Sequence, residues 1–250
     1  MMRRLRLTIL LGALLALPTS AIGQIPEEFH NLQVLPEDIA QRELIGVMRG
    51  FALGLGVRCT HCHVGEEGRP FSEYDFESDD KETKRKARFM LQMVNDLNDE
   101  RLPQLAEVAD RAEPAIRVTC ETCHHGRPLP RPLGEILVQA IDVEGVEAGV
   151  AKYRELREEF YGSAAYDFSE LSLLLIAGGL AQSEQPEGAK ALVDLNLEHY
   201  PESVNTWLLL AQLNMQGGDR DAALAAAQKA LELDPENRQA QRLLSNLEGS

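Results

Sequence analysis

The 250-residue sequence is short of several things, and each shortage narrows what it can be. Aromatic residues make up only 5% of the chain, too few for the strand-rich sandwiches and barrels that aromatic and β-branched side chains favour. Basic residues are also scarce, 25 against 40 acidic ones for a formal net charge of −15. Binding phosphate backbones takes clustered Lys and Arg, so nucleic acid is excluded as a partner. No segment beyond the first residues is long and apolar enough to cross about 30 Å of hydrocarbon. Cysteine is limited to four positions. What is present is a 44% hydrophobic, 26% charged composition rich in Ala, Leu, Glu and Gln, which favour helix. The expectation is an acidic, all-α protein of globular composition with a genuine core.

The chain begins with Arg3, Arg4 and Arg6 ahead of an eleven-residue apolar run, Leu7 to Leu17. Pro18-Thr19-Ser20 and the small residues Ala21 and Gly23 follow. A positive stretch, a short apolar stretch and a small-residue cleavage site are the layout of a secretory signal, here cleaved after Gly23. No cysteine lies near that site, so no lipoprotein anchor is expected. The mature chain is read as exported to the periplasm, soluble or peripheral to the membrane, with no transmembrane segment left.

An exported chain with an even number of cysteines ordinarily suggests disulfides. The spacing points elsewhere. Cys59-Thr60-His61-Cys62-His63 and Cys120-Glu121-Thr122-Cys123-His124 both read C-x-x-C-H, and together they use every cysteine. On one helical turn residues i and i+3 share a side and i+4 sits beside them. Two thiols can then join the two vinyl groups of one porphyrin while the following imidazole reaches its iron. The pattern predicts two covalently bound haems c, attached at Cys59 and Cys62 and at Cys120 and Cys123, with His63 and His124 as proximal ligands. A zinc site has no need of a His after the second Cys at both places, and a redox-active C-x-x-C ordinarily sits in a βαβ pattern that is missing here.

Candidates for the opposite face of each iron lie upstream. Pro36-Glu37-Asp38 opens an expected helix running to about Leu53, where Gly54 and Gly56 end it; Leu44, Met48, Phe51 and Leu55 form one stripe on it. Asp79 and Glu82 resemble a capping box for a second helix, from about Asp80 to Asn98, with Ala87, Met90, Leu91, Val94 and Leu97 on its apolar face. Met opposite His is a common low-spin pair that raises the reduction potential. His61 and His125 adjoin the proximal histidines and would have to reach around the ring. Spacing alone does not separate Met90 from Met93.

Three stretches resemble the photosynthetic reaction-centre cytochrome c subunit family. They are Asn31-Leu32-Gln33-Val34-Leu35, the run Ala87 to Met93, and Thr119 to Pro130, covering residues 29–130 in order. The resemblance implies helix–turn–C-x-x-C-H units with methionine sixth ligands on the preceding helix. By position these are Met48 for the first haem and Met90 for the second. It also implies a place beside a reaction centre, which no residue implies by itself. The chain departs from the family pattern in carrying one pair of haem motifs rather than two, and in lacking a His between Leu105 and Val118.

Past the proline-rich stretch Arg127 to Pro132 the haem chemistry stops and a repeat begins. Tyr200-Pro201-Glu202 and Asp234-Pro235-Glu236 lie 34 residues apart, the tetratricopeptide period. The period places Trp207, Leu210, Ala211, Ala223 and Ala230 at interhelical packing positions, and more weakly Leu173, Ile176, Ala177 and Ala189. Arg238 to Leu247 reads as a capping helix. The expected organisation is a signal peptide over 1–23, a dihaem cytochrome domain over 24–130, a linker over 131–140 and tetratricopeptide-like repeats over 141–250. Stacked helix pairs present a face for a protein partner. The basic cluster Lys81, Lys84, Arg85, Lys86 and Arg88 is read first as the solvated face of a helix. Its other reading is a site for haem propionates or an acidic partner.

Together these features describe an electron carrier, not an enzyme, exchanging electrons with periplasmic donor and acceptor proteins and docking a partner on its repeats. A peroxidase-like haem enzyme would need an open iron position and acid/base groups beside it, and none stands out. A structural protomer of a larger redox assembly is the remaining alternative.

Overall fold

The computed structural model describes residues 25–26, 28–105 and 116–249. The expected signal peptide therefore lies outside the described residues. Ten α-helices account for most of what is described. Among the described residues there is no strand; the only extended pairing is an isolated antiparallel bridge between Val64 and Asp75.

The chain divides into two compact units. The first comprises the residues up to Val47 together with Arg58–Ile116. It holds most of the Cys59–His63 turn's surroundings and helix α2 (Glu82–Asp96). A single π-helical turn over Leu97–Arg101 follows α2. The N-cap of α2 is Lys81, with no side-chain cap. Asp79, read from sequence as a capping residue, forms ion pairs instead, because its carboxylate finds cations on the same helix. Lys84 Nζ lies 3.2 Å and Arg88 2.7 Å from it.

The second unit comprises Met48–Val57 and everything from Arg117 onward. Helix α1 (Gln41–Leu55) thus passes from one unit into the other. It starts later than Pro36, after a turn closed by Ile39 N–H on Pro36 O, and it continues through Gly54. The remaining helices are α3 (Cys120–His124), α4 (Leu133–Glu144), α5 (Val146–Phe160), α6 (Glu170–Gln182), α7 (Pro186–His199), α8 (Val204–Gln216), α9 (Arg220–Leu233) and α10 (Arg238–Gly249). Residues 133–140, inside the expected linker, are the first part of α4, with Pro132 as its N-cap.

Helices α4–α5, α6–α7 and α8–α9 pack as consecutive hairpins, and α10 closes the stack against α9. The 34-residue period has a visible cause. Ser203 Oγ accepts from the Thr206 amide at 3.1 Å, and Asn237 Oδ1 accepts from the Ala240 amide at 3.1 Å, the same N-cap one period apart. Trp207 Nε1 donates to Pro201 O and Gln241 Nε2 to Pro235 O, each at 2.9 Å and again one period apart. Leu173, Ala177, Ala189, Ala211, Ala223 and Ala230 are fully buried, as the period required. A buried polar link joins neighbouring hairpins: Asn196 Nδ2 donates to Thr206 Oγ1 at 2.8 Å and to Glu170 O at 3.0 Å. The amide nitrogen is satisfied in this way, while Asn196 Oδ1 is buried without a hydrogen bond.

Candidate haem-attachment sites

Each C-x-x-C-H segment forms one helical turn. In the first, Cys59–His61 is 3-10 helical, and the amides of Cys62 and His63 both donate to Cys59 O, at 3.2 and 2.9 Å. In the second, α3 runs from Cys120 to His124, with the Thr119 amide donating to Thr122 Oγ1 at 3.0 Å. All four thiols are free. Burial pushes the Cys62 and Cys120 thiols above their ordinary range. The described residues hold no group of three or more His, Cys, Asp and Glu side chains placed to bind a bare metal ion. The paired thiols with an adjacent imidazole fit the attachment of a porphyrin.

The two histidines are held differently. His124 Nδ1 lies 2.8 Å from Arg127 O. A carbonyl can only accept, so Nδ1 carries the proton and the lone pair is left on Nε2, an arrangement suited to a metal-binding imidazole. His63 packs edge-on against Phe76, with ring centroids 5.0 Å apart. Its imidazole is held neutral, with the pKa lowered to about 4, by burial first and then by the nearby Lys84 charge. The Phe76 carbonyl partly offsets this, but it accepts from Lys84 Nζ at 2.9 Å. His63 Nδ1 is left buried without a hydrogen bond, an exception to the general pairing of buried polar groups.

The basic cluster ahead of the second motif does two jobs. Lys84 donates to the carbonyls of Phe76, Glu77 and Ser78 at 2.8–3.0 Å. Lys81 Nζ donates to Thr60 O, and Thr83 Oγ1 to His61 O, which ties the start of α2 to the first C-x-x-C-H turn. Arg88 bonds both Asp79 and Asn31 O. Only Lys86, paired with Glu82 on the exposed surface, behaves simply as a solvated helix face. Asn31 adopts a left-handed backbone (φ 66°) and donates to Glu77 O and Asp79 Oδ1, while Gln33 reaches Asp79 Oδ2. The Asn31-Leu32-Gln33 motif is thus a latch onto Asp79. The Asn31 amide, with Arg88 and Lys84, holds that carboxyl down at about 2.

The second turn is fixed by close backbone approach. His125 and Gly126 both take positive φ (49° and 74°), which stops α3 directly after His124. The Gly126 amide donates to Gly54 O at 3.0 Å, and a Cβ on Gly56 (φ 63°) would fall 1.9 Å from Gly126 O. Only glycine fits there. Gly54, read from sequence as a helix terminator, instead lets α1 lie against α3, its missing Cβ facing Cys120 and Glu121.

Met48 and Met90 sit on α1 and α2 as expected. Met48 belongs to the half-buried stripe with Phe51 and Leu55. At about 100° per residue it lies some 120° around α1 from Gly54, off the face that touches the second motif. Met90 and Met93 are exposed to nearly the same degree, 37% and 39%, so accessibility does not choose between them. His30 and His125 are exposed, and His199 lies far along the chain beside Tyr153.

Among known families, the one described as Photosynthetic reaction centre cytochrome C subunit matches residues 26–177. The chain belongs to this family. The match reaches well past the 29–130 span that carried the resemblance, through α4 and α5 and into α6. The Tetratricopeptide repeat matches residues 204–247, which hold α8, α9 and most of α10. No curated protein matches the chain. As a reaction-centre cytochrome family member it is a c-type cytochrome of electron transfer, followed by tetratricopeptide-like repeats. Among the described residues no helix is long and apolar enough to cross a membrane.

Three features of the sites were invisible to spacing and composition. Arg127, Asp79 and the Gly56–Gly126 contact all act across long stretches of sequence. Periodicity does not register contacts between positions so far apart.

Proposed function

We propose that this reaction-centre family cytochrome carries two haems c and passes electrons between a donor and an acceptor protein in the periplasm, after removal of residues 1–23. Cys59 and Cys62 hold the first haem and Cys120 and Cys123 the second. His63 and Met48 are the axial ligands of one, His124 and Met90 of the other. The haem supplies one-electron chemistry when bound; the chain attaches it, orients its ligands and limits solvent around it. The helical repeats serve as the docking surface for a protein partner, with a reaction centre the partner that the family's name supplies.

The observation that carries this reading is the imidazole geometry at His124. Its Nδ1 is committed to Arg127 O, which leaves the lone pair on Nε2, directly after two thiols on one helical turn. Intact mass after export in a host with c-type maturation should correspond to two haems on a chain starting at Gln24. A mass for one haem or none ends this reading. Ligation is tested in variants that keep one haem. With Cys59 and Cys62 replaced by Ser, Met90→Ala should abolish the near-infrared sulfur-to-iron band of the remaining haem and Met48→Ala should spare it. Loss with Met93→Ala instead, or a reversed pairing of Met48 and Met90, would reassign the ligands.

A further inference from the structure

Arg127 is the only charged residue among the described residues that is buried, at 8% exposure. No carboxylate among them pairs with it. A desolvated charge is costly unless it is hydrogen-bonded, and Arg127 is. Its Nε donates to His124 O at 3.3 Å and a terminal nitrogen to Arg131 O at 2.6 Å. The guanidinium lies 4.2 Å from the centroid of the Tyr166 ring. Its backbone works as well: the Arg127 amide donates to His124 O at 3.0 Å, and its carbonyl is the acceptor for His124 Nδ1.

Tyr166 is locked in turn. Its ring stands edge-to-face with Phe160 at 5.4 Å and Phe168 at 5.9 Å, and Phe168 packs on the fully buried Tyr153 at 5.6 Å. The corner between α5 and α6 therefore sets where the Arg127 side chain sits, and the loop 124–131 is braced against it. The first motif is braced differently, by Lys81, Thr83 and Phe76: His63 Nδ1 has no hydrogen bond, and Glu66, three residues on, is exposed.

We propose that Arg127 is a positioning residue for His124, and that through Tyr166 the α5–α6 corner of the helical part sets the proximal field of the second haem alone. This rests on His124 being a haem ligand. The chemistry follows from the hydrogen bond. An imidazole whose Nδ1–H is held by a carbonyl is a better donor to its metal, which favours the oxidised iron. Loosening the loop weakens that bond and raises the potential of one haem out of two. A partner seated on the helical part near this corner has a route to the same haem.

The test uses the full-length holoprotein. Wild-type intact mass first establishes two haems; fewer would overturn the underlying reading rather than this inference. Tyr166→Leu removes the ring without altering charge. Arg127→Lys keeps the charge but cannot serve both carbonyls in a planar fork. In spectroelectrochemical titration both should raise the potential of one haem, by up to a tenfold change in its one-electron equilibrium (about 59 mV), and change its low-spin g-values. The other haem should not move. Tyr166→Phe, which retains the ring, should match wild type. Two haems present with neither potential moved in Tyr166→Leu or Arg127→Lys would overturn the inference, as would equal shifts in both haems. If Tyr166→Leu fails to accumulate, Arg127→Lys decides on the same readout.

Discussion

Between Leu133 and Leu247, 24 buried residues form one continuous hydrophobic cluster, many of them with no exposed surface at all. Between Ile25 and Pro132 the described residues contain a single buried hydrophobic side chain, Leu44. Both stretches are helical, and the sequence of each is amphipathic. They differ in what covers the apolar face. From α4 to α10 each hairpin covers its neighbour. In the stretch before Leu133, Phe89 stands 68% exposed, Leu53 76% and Met90 37%, and hydrogen bonds to Lys81, Lys84, Arg88 and Asp79 hold the loops in place. Such a stretch cannot offset its chain entropy by burial alone. Two porphyrins would supply the missing apolar surface, and covalent attachment would make them part of the chain's own core.

The largest effect that follows is on the cytochrome part alone. With all four cysteines replaced by Ser, residues 25–132 should lose slowly exchanging amides while 133–249 keep theirs in hydrogen exchange. Protection of both stretches without haem would break the comparison. Next comes the repeat core. Leu192 is fully buried, and Leu192→Ala should cost about 2–5 kcal/mol in denaturant unfolding of the repeats. The visible spectrum of the first haem should be unchanged in native buffer.

A chain ending at Pro132 sharpens the contrast, since it keeps every proposed haem ligand but removes Tyr166 from beneath Arg127. Both haems should still register in the intact mass, with the spectrum of only the second altered. The smallest effect belongs to Asp79. Its folded pKa, about 2 against an ordinary 3.8, is depressed. Its contribution is therefore complete above the ordinary value and is lost as pH falls from about 4 through about 2. Asp79→Asn should flatten that acid limb in a pH titration of amide exchange at residues 31–33: protection there should already be slightly lower at neutral pH and should meet the wild-type value once pH falls to about 2.

Much of this was legible in the sequence because it is local or periodic. The C-x-x-C-H turns, α1, α2 and the helices α8 to α10 follow from spacings of three, four and 34 residues. The first part of α4, residues 133–140, reads as linker, and α5 is expected only as part of a repeat region over 141–250. They precede the repeat's clear period, and the prolines that mark a linker also serve, as Pro132 does, at a helix N-cap. Helix α6 is apolar on almost every side, with Leu171 and Leu175 exposed, so its stripe does not stand out. The latch of Asn31 on Asp79 and the brace of Arg127 on Tyr166 join residues dozens of positions apart, through contacts that neither composition nor period encodes.

The Gly126–Gly54 hydrogen bond also bears on the order of events during biosynthesis. It closes a loop of roughly seventy residues that contains the whole first motif, α2 and its loops. A chain leaves a translocation pore N-terminus first. Under the reading of an exported cytochrome, Cys59 and Cys62 therefore emerge while Gly126 is still inside and the loop is still open. Closure waits for the second motif, and its entropic cost grows only slowly with loop length. The attachment machinery accordingly has an interval in which the first thiol pair is reachable before α1 and α3 come together.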